Sequence, residues 1–213
     1  MNKQITLVHG WGYDATLWRE VLPLLDGLDV EVADLGFFGR ASLPSTGAAP
    51  RIAVGHSLGA LWWLALTDLP WTQLVAINGF PRFTAADDFP QGVAARVLER
   101  MRKRFGTAPA AVLADFQSAC GATGPALPID TLPLQQGLAT LAEADARTAL
   151  AKRSADVFSL AARRDAIVPA AMSEAAFAAL PAGHLRWIDD GGHLLPLTHA
   201  RDCAALIRAV ASS

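Results

Sequence analysis

The sequence predicts an α/β domain with a mostly parallel sheet of about six strands, flanking helices and a helical insertion. Three observations support this prediction. Six short apolar runs occur along the chain, and several of the stretches between them have helical spacing. The runs are apolar throughout instead of alternating with polar residues, which is typical of parallel strands covered on both faces. From Arg82 to Leu150, helical spacing continues without a strand-like run.

The composition limits the classes of function. The chain has 213 residues, enough for one domain with a sizeable core. With 18 basic and 20 acidic residues, its formal net charge of −2 gives no field that would attract nucleic acid. The longest apolar run, Leu58–Leu66, is too short to span a membrane. Cys120 and Cys203 have no metal-ligand spacing, so we expect a cytoplasmic protein without a metal.

The first part of the chain predicts two strands, Ile5–His9 and Val30–Asp34, on either side of a helix at Asp14–Leu25. Asp14 can cap that helix, and its apolar residues share one stripe. The glycine-rich turn Asp34–Arg40 lacks the Gly-Lys-Ser/Thr ending of a phosphate loop. Ala41–Pro50 is rich in Ser, Gly and Pro and is expected to form a loop.

The third strand, Ile52–Gly55, runs into Gly55-His56-Ser57-Leu58-Gly59 and then into a predicted helix at Leu58–Thr67. In a strand–turn–helix setting, G-x-S-x-G holds the serine hydroxyl clear of the backbone. The two glycines remove side chains that would collide in such a strained turn. The helix N-terminus directs N–H groups at an oxyanion. Because Gly and Ser are abundant, the pattern alone could also arise by chance.

The rest of the chain divides into an insertion and a return to the sheet. A fourth strand is predicted at Leu74–Asn78. Residues 1–80 and 151–213 are therefore assigned to the core, and 81–150 to a helical cap over the ends of the strands. Predicted cap helices are Val93–Phe105, Ala108–Ala119 and Leu132–Ala144, with a fourth, Ala146–Lys152, left open. After the cap come strands Val157–Ala161 and Leu185–Ile188 and helices Ala170–Leu180 and Thr198–Val210.

Three polar residues follow predicted strands in the order Ser, Asp, His. Ser57 follows the third strand, Asp165 the fifth and His193 the sixth. Because the carboxyl ends of parallel strands share one edge of a sheet, we expect these side chains to meet there. A serine hydroxyl needs a base within hydrogen-bond reach, and that base needs a carboxylate to orient it. The sequence therefore predicts a serine nucleophile, Ser57, with His193 as base and Asp165 as acid.

Other aspartates and histidines could act as the acid or the base. Asp189 and Asp190 stand too close to His193 in sequence to reach its far nitrogen easily, and Asp156 opens a strand at the wrong end. Among the histidines, His9 is expected to support its own loop, and His56 is expected to point away from Ser57. His184 and His199 are expected to be surface or structural residues.

His9-Gly10-Trp11-Gly12 resembles the H-G-x-G oxyanion loop of hydrolases. On this interpretation the backbone N–H groups of Trp11 and Leu58 form the oxyanion hole. The Trp11 indole would then line the acyl pocket. The alternative is a plain loop between a strand and a helix.

Taken together, these motifs resemble the α/β-hydrolase family across essentially the whole chain. Within it, the sequence is most similar to the pimeloyl-[acyl-carrier protein] methyl ester esterases of biotin synthesis. The resemblance implies an α/β-hydrolase fold, hydrolysis of a pimeloyl methyl ester on acyl carrier protein and no cofactor. We also expect a monomer. The matching segments are HGWGYDATLW at 9–18, GHSLGA at 55–60, NGF at 78–80, FTAADDFPQGV at 83–93, LQQGLATLAEADAR at 134–147, RDAIVP at 164–169 and GGH at 191–193.

Two features of the cap concern the substrate. Arg96, Arg100, Lys103 and Arg104 share one face of the first cap helix and could dock an acidic carrier protein; the alternative is an ordinary solvated face opposite Val97, Met101 and Phe105. The candidates to line an acyl channel, each of which could equally be a core residue, are Phe80, Phe83 and Phe116.

The same residues serve other reactions, so alternatives remain open. They are a general short-chain carboxylesterase, an acyl thioesterase and a cofactor-free haloperoxidase or lyase. Outside enzymes, the alternative is a ligand-binding protein on a hydrolase fold.

Overall fold

The computed structural model describes residues 3–46, 50–122, 124 and 128–213. Its centre is a six-stranded sheet in the order β2-β1-β3-β4-β5-β6, in which all five neighbouring pairs are parallel. The predicted fold class is therefore confirmed. The strands are β1 Gln4–Val8, β2 Val30–Ala33, β3 Arg51–His56, β4 Gln73–Ile77, β5 Val157–Ala162 and β6 Leu185–Ile188.

The central strand β3 is buried at every position. It lies between β1 and β4, and helices cover both faces of the sheet, so its side chains contact apolar groups in both directions. This placement explains why the strand sequences are apolar throughout. It also puts Ser57, the residue after β3, near the middle of the carboxyl edge.

The helices of the core differ in part from the prediction. They are α1 Leu58–Ala65, α6 Ala170–Ala176, α7 Leu195–Thr198 and α8 Ala200–Ala211. The predicted helix Ala170–Leu180 thus ends earlier. The predicted closing helix Thr198–Val210 corresponds to α8, and the short helix α7 precedes it. The prediction of one helix at Asp14–Leu25 was wrong, because the segment forms two 3₁₀ turns, Ala15–Trp18 and Leu22–Leu25. Pro23 lacks an N–H and its ring clashes with the preceding turn, which prevents a continuous α-helix.

In the described part of the segment between β4 and β5 there are four helices, and the fourth is the one that the sequence left open at Ala146–Lys152. They are α2 Ala95–Phe105, α3 Pro109–Cys120, α4 Thr131–Glu143 and α5 Arg147–Lys152. We call residues 81–150 the insertion. Its buried side chains, including Leu98, Phe105 and Leu134, form one apolar cluster with core residues such as Trp11 and Leu58. The insertion is therefore packed directly on the carboxyl edge of the sheet.

Two of the predicted segments are only partly described. Residues 47–49 of the expected loop Ala41–Pro50 and residues 123 and 125–127 of the insertion lie outside the described residues. Within the part that is described, no helix combines the length and apolar character needed to cross a membrane.

Candidate active site

Ser57 lies in a strained turn between β3 and α1. Its backbone φ of 53° and ψ of −120° are unusual for a residue with a side chain. The turn is possible because the backbones around it approach closely. A Cβ on Gly55 would lie 2.3 Å from the backbone nitrogen of Ala60, and one on Gly59 would lie 2.3 Å from the carbonyl oxygen of Val8. Both positions of G-x-S-x-G therefore require glycine on steric grounds.

Ser57, His193 and Asp165 form one hydrogen-bonded array. His193 Nε2 lies 3.2 Å from Ser57 Oγ, and His193 Nδ1 lies 2.8 Å from Asp165 Oδ2. The three residues are 4%, 2% and 6% exposed, so water weakens these contacts little. Because the carboxylate accepts a hydrogen bond from Nδ1–H, the ring proton stays on Nδ1 and Nε2 is left free to accept the serine hydroxyl proton. The structure thus brings together the three residues that the sequence order selected.

Asp165 is fixed by its own backbone. Its Oδ1 accepts hydrogen bonds from the N–H groups of Ile167 at 2.7 Å and Val168 at 2.9 Å. The carboxylate therefore has one oxygen held by the loop and the other directed at His193. This arrangement orients the imidazole at its Nδ1 side.

The alternative acids and bases lie elsewhere. Asp189 is exposed beside Arg163, and Asp190 pairs with His199 at 3.3 Å. Asp156 pairs with Arg153. His184 Nδ1 donates to the carbonyl of Val157. These residues hold surface turns and the amino ends of strands.

Sequence reasoning missed one residue of the site, Asn78, and did not foresee the contact that another, His56, makes. Asn78 follows β4 and donates from Nδ2 to the carbonyl oxygens of Gly192 and His193, both at 2.9 Å. His56 Nε2 donates to the same His193 carbonyl at 2.8 Å. The ring therefore contacts the loop of residues 191–193, which carries the base and which we call the base loop. The Asn-Gly pair after a strand was an available signal, since Asn tolerates the φ of 44° found here.

The loop after β1 is held on both sides of Trp11. His9 Nδ1 donates to the carbonyl of Gly10 at 2.9 Å, and Gln117 Nε2 donates to the carbonyl of Gly12 at 3.0 Å. His9 Nε2 accepts from the N–H of Leu35, so His9 supports its own loop as expected. Because C=O and N–H of one peptide point in opposite directions, the His9 contact also fixes the direction of the Trp11 N–H.

The Trp11 and Leu58 N–H groups are available as donors. Over the described ranges, neither backbone nitrogen donates to another protein atom. Leu58 is the first residue of α1, where N–H groups have no partner within the helix. Both groups are therefore free for a ligand oxygen.

The Trp11 indole does not have the predicted position on the wall of a pocket. It is only 1% exposed, and its Nε1 donates to the carbonyl of Leu134 on α4 at 2.8 Å. Its ring packs edge-on against Phe105 and Phe116. A buried indole N–H needs an acceptor, and the nearest one is on the insertion, so Trp11 joins the loop to α4.

The two thiols are poor competitors for the role of nucleophile. Burial raises the pKa of Cys120 to about 12; a hydrogen bond from Tyr13 opposes this increase, and the charge of Asp165 adds to it. Burial, and to a lesser extent Asp202, also raises the pKa of Cys203. Both cysteines therefore stay protonated near neutral pH. Over the described part of the chain, no group of three or more His, Cys, Asp or Glu could hold a metal ion.

An apolar cavity of about 340 Å³ lies between the insertion and the Asp165 loop. Phe83, Met101 and Phe116 line it from the insertion, and Ile167 lines it from the core. The Phe116 ring centre is 6.4 Å from that of His193, which connects the cavity to the array. Phe80 is wholly buried and packs against Phe83 with ring centres 4.9 Å apart. Of the three candidates, Phe83 and Phe116 thus line this cavity, whereas Phe80 is a core residue behind Phe83.

A groove of about 250 Å³ on the outside of the insertion shares Val97, Met101 and Phe116 with this cavity. Arg100 and Arg104 also line the groove, and Arg104 pairs with Asp115. The prediction that Val97 faces the protein was wrong, because it is 48% exposed and Leu98 takes the buried position. The four candidate docking residues on α2 are exposed, as is Arg102 between them: Arg96, Arg100, Lys103 and Arg104.

No protein-family model matches the chain. It is 30% identical to a pimeloyl-[acyl-carrier protein] methyl ester esterase of Neisseria meningitidis serogroup C, with 97% of this chain and 92% of that protein covered. It is 34% identical over 80% of its length to the biotin biosynthesis bifunctional protein BioHC of Cellvibrio japonicus, of which the match covers only 40%.

Among solved structures, a bromoperoxidase from Bacillus anthracis has a TM-score of 0.82 at 18% identity, covering 100% of this chain and 93% of that chain. At this identity the likeness shows the fold alone, which is the α/β-hydrolase fold expected from the sequence.

Proposed function

Since the chain belongs to the pimeloyl-[acyl-carrier protein] methyl ester esterase family, we propose that it hydrolyses the methyl ester of a pimeloyl group carried by acyl carrier protein. The observation that carries this proposal is the buried array of Ser57, His193 and Asp165 beside an apolar cavity. Such an array activates a serine for attack on an ester, and the cavity suits an apolar acyl chain.

The proposed reaction has two steps. Ser57 Oγ attacks the ester carbonyl while His193 Nε2 takes its proton, and the Trp11 and Leu58 N–H groups hold the oxyanion. Each such donor is worth about 3 kcal/mol in known enzymes of this kind. His193 then gives the proton to the leaving methanol. Water, deprotonated by His193, attacks the acyl-serine and releases the free acid, which regenerates Ser57. Asp165 orients His193 in both steps.

The substrate path follows from the two apolar spaces. We assign the acyl chain to the cavity between Phe83 and Phe116, with residues 81–150 acting as a cap over it. The groove beyond Met101 then leads the pantetheine arm to the surface beside Arg100. There the basic face of α2 would meet the acidic carrier protein, which chiefly raises the association rate.

The first test is hydrolysis of methyl pimeloyl-[acyl-carrier protein] by the purified protein and by Ser57→Ala. We expect release of methanol by the wild type and a loss of at least about 10⁴-fold in the variant. If only p-nitrophenyl butyrate is cleaved in a Ser57-dependent way, the protein is an esterase with another physiological substrate. If neither ester is cleaved, the proposed function is wrong.

The docking face has a matched control. Arg100→Glu should raise KM for the carrier-borne ester and leave hydrolysis of p-nitrophenyl butyrate unchanged. Arg201→Glu reverses the same charge on the exposed face of α8 and should leave KM and kcat unchanged for both substrates. Equal effects of the two variants would argue against docking on α2.

A further inference from the structure

We propose that His56 and Asn78 are positioning residues that hold the His193 imidazole against Ser57 by binding the His193 backbone carbonyl. This inference rests on the proposed function, since it assumes that His193 is the base. It is carried by the geometry of one carbonyl group, which accepts two buried side-chain hydrogen bonds from two different strands.

The two donors come from the ends of two neighbouring strands. His56 is the last residue of β3 and directly precedes Ser57. Asn78 follows the neighbouring strand β4 and uses both protons of its amide, one on the carbonyl of Gly192 and one on that of His193. The carbonyls of two successive residues in the base loop are therefore fixed from the core.

Asn78 also links the base loop to the strand that leads to the acid. Its Oδ1 accepts the N–H of Ala162, the last residue of β5, at 2.9 Å. The nucleophile turn, the base loop and the end of β5 are thus joined through two side chains. The distance between Ser57 Oγ and His193 Nε2 does not depend on the His193–Asp165 contact alone.

The base loop needs such support because it begins with two glycines. Gly191 and Gly192 give the backbone before His193 more freedom than other residues would. The ring is held by Asp165 at one nitrogen, but a rotation of the backbone would still move Nε2 away from the serine. Two hydrogen bonds to the His193 carbonyl prevent that rotation.

His56 is suited to act as a permanent donor. A carbonyl can only accept, so Nε2 carries the ring proton; among the described residues Nδ1 has no hydrogen-bond partner. Complete burial lowers the pKa of His56 well below its ordinary value, and the nearby His193 and His9 add to this effect. The imidazole therefore stays neutral and keeps its one proton on Nε2 while His193 gains and loses its own.

The test compares His56→Phe, His56→Gln and Asn78→Asp on the carrier-borne ester and on p-nitrophenyl butyrate. His56→Phe keeps a ring without a donor, and Asn78→Asp keeps the acceptor for Ala162 but loses both donors. We expect kcat to fall about ten- to a hundredfold in both, with KM within about twofold, because the base is misplaced in the transition state. His56→Gln can still donate and should recover most of the activity.

His184→Phe is the matched control. It removes a bond of the same kind, from a histidine ring to the carbonyl of Val157 at 2.9 Å, at the far end of β5. It should lower stability without changing kcat. The low-field NMR line of the His193 Nδ1 proton gives a second readout, which should shift or exchange faster in His56→Phe and Asn78→Asp only.

Several results would overturn the inference. They are an unchanged kcat in both loss-of-donor variants, an equal loss in His184→Phe, or no recovery in His56→Gln. If His56→Phe does not fold, the inference is tested by the kcat of Asn78→Asp and by the NMR line of the His193 Nδ1 proton in that variant. An inactive wild type would instead be a failure of the proposed function. In that case a fluorophosphonate probe should not label Ser57 of the wild type.

Discussion

The loops around Ser57 and the insertion are attached to the same edge of the sheet by different forces. Around Ser57, buried side chains bind backbone groups, as in the contacts of Asp165 with Val168 and of Asn78 with His193. The insertion is attached by an apolar seam around Trp11, and its own two ends are joined to each other by ion pairs that reach solvent, such as Arg82 with Asp145.

This difference matters because the two forces have different precision. Buried hydrogen bonds are directional, so they fix reacting atoms within a few tenths of an ångström. Apolar packing is non-directional and tolerates exchange of side chains of similar volume. The insertion can therefore change to suit another acyl chain while the array keeps its geometry.

Asp165→Asn should produce the largest effect and tests the precision of the core. Asparagine can still accept from Ile167 and Val168, but its NH₂ group would face His193 Nδ1 and favour the wrong tautomer. We expect kcat to fall about 10⁴-fold with little change in thermal stability. Steady-state hydrolysis of p-nitrophenyl butyrate measures this effect.

Asp189→Asn is the control, since this carboxylate is near His193 in sequence but is 95% exposed beside Arg163. It should be as active as the wild type. Comparable losses in the two variants would mean that His193 is oriented by something other than Asp165.

Gly55→Ala tests whether the serine turn requires close backbone approach. The added Cβ would lie 2.3 Å from the nitrogen of Ala60 and could be relieved only by moving backbone. We expect a loss of about 3 kcal/mol in unfolding free energy, measured by urea denaturation.

Gly192→Ala is the control for Gly55→Ala. Gly192 lies in the base loop, and a Cβ added there would have no atom within 4 Å. It should change stability by less than about 0.5 kcal/mol. Equal losses would show that glycine is needed in both loops for conformational freedom instead of space.

The contrast between the two regions also explains what the sequence could predict. Ser57, Asp165 and His193 follow strands, and topology brings the ends of parallel strands together, so local patterns sufficed. The contact of His56 with His193 spans 137 residues and depends on side-chain direction at the end of β3. No local pattern reports such a contact, and so the role of His56 was missed.

Packing at the insertion was predicted less well for a related reason. Helical spacing identified α2, but two adjacent apolar positions could face inward, and the packing against α4 selects Leu98 over Val97. The Trp11 indole was assigned to a pocket although its acceptor, the Leu134 carbonyl, lies 123 residues away. Apolar periodicity gives the existence of a helix more reliably than the rotation of its faces.

Trp11→Phe tests the apolar seam. The change leaves the backbone N–H in place but removes the bond to the Leu134 carbonyl and some packing against Phe105. We expect a loss of about 2 kcal/mol in unfolding free energy. A changed preference among p-nitrophenyl esters of different chain length is also expected, because Phe116 contacts both Trp11 and the cavity.

Trp63→Phe is the matched control in the core, where the indole donates to the carbonyl of Val54 at 3.2 Å. It should lose similar stability and keep the wild-type chain-length preference. If both variants change that preference alike, it is set by general stability and not by the seam.

The smallest effect is expected at the neck of the insertion, where Asp145 binds Arg82 and Arg147, each at 2.7 Å. The hydrogen bond from Arg147 lowers the pKa of Asp145 well below its ordinary 3.8; partial burial opposes this, and the bond from Arg82 supports it. Since the folded-state pKa is the lower one, the unfolded chain binds the proton first as pH falls. The stabilisation is therefore complete above the ordinary pKa and is lost below it.

Asp145→Asn should cost about 0.5 to 1 kcal/mol at pH 7, because solvent screens this partly exposed network. The difference in unfolding free energy from the wild type should shrink as pH falls below 3.8. It should also shrink in 1 M salt, where the Debye screening length is about 3 Å. Asp115→Asn breaks a single, more exposed pair with Arg104 and should cost less at every pH. A difference at pH 2 that is as large as the one at pH 7, read from urea denaturation at each pH, would mean that Asp145 acts through packing and not through its charge, and the neck would then resemble the apolar seam.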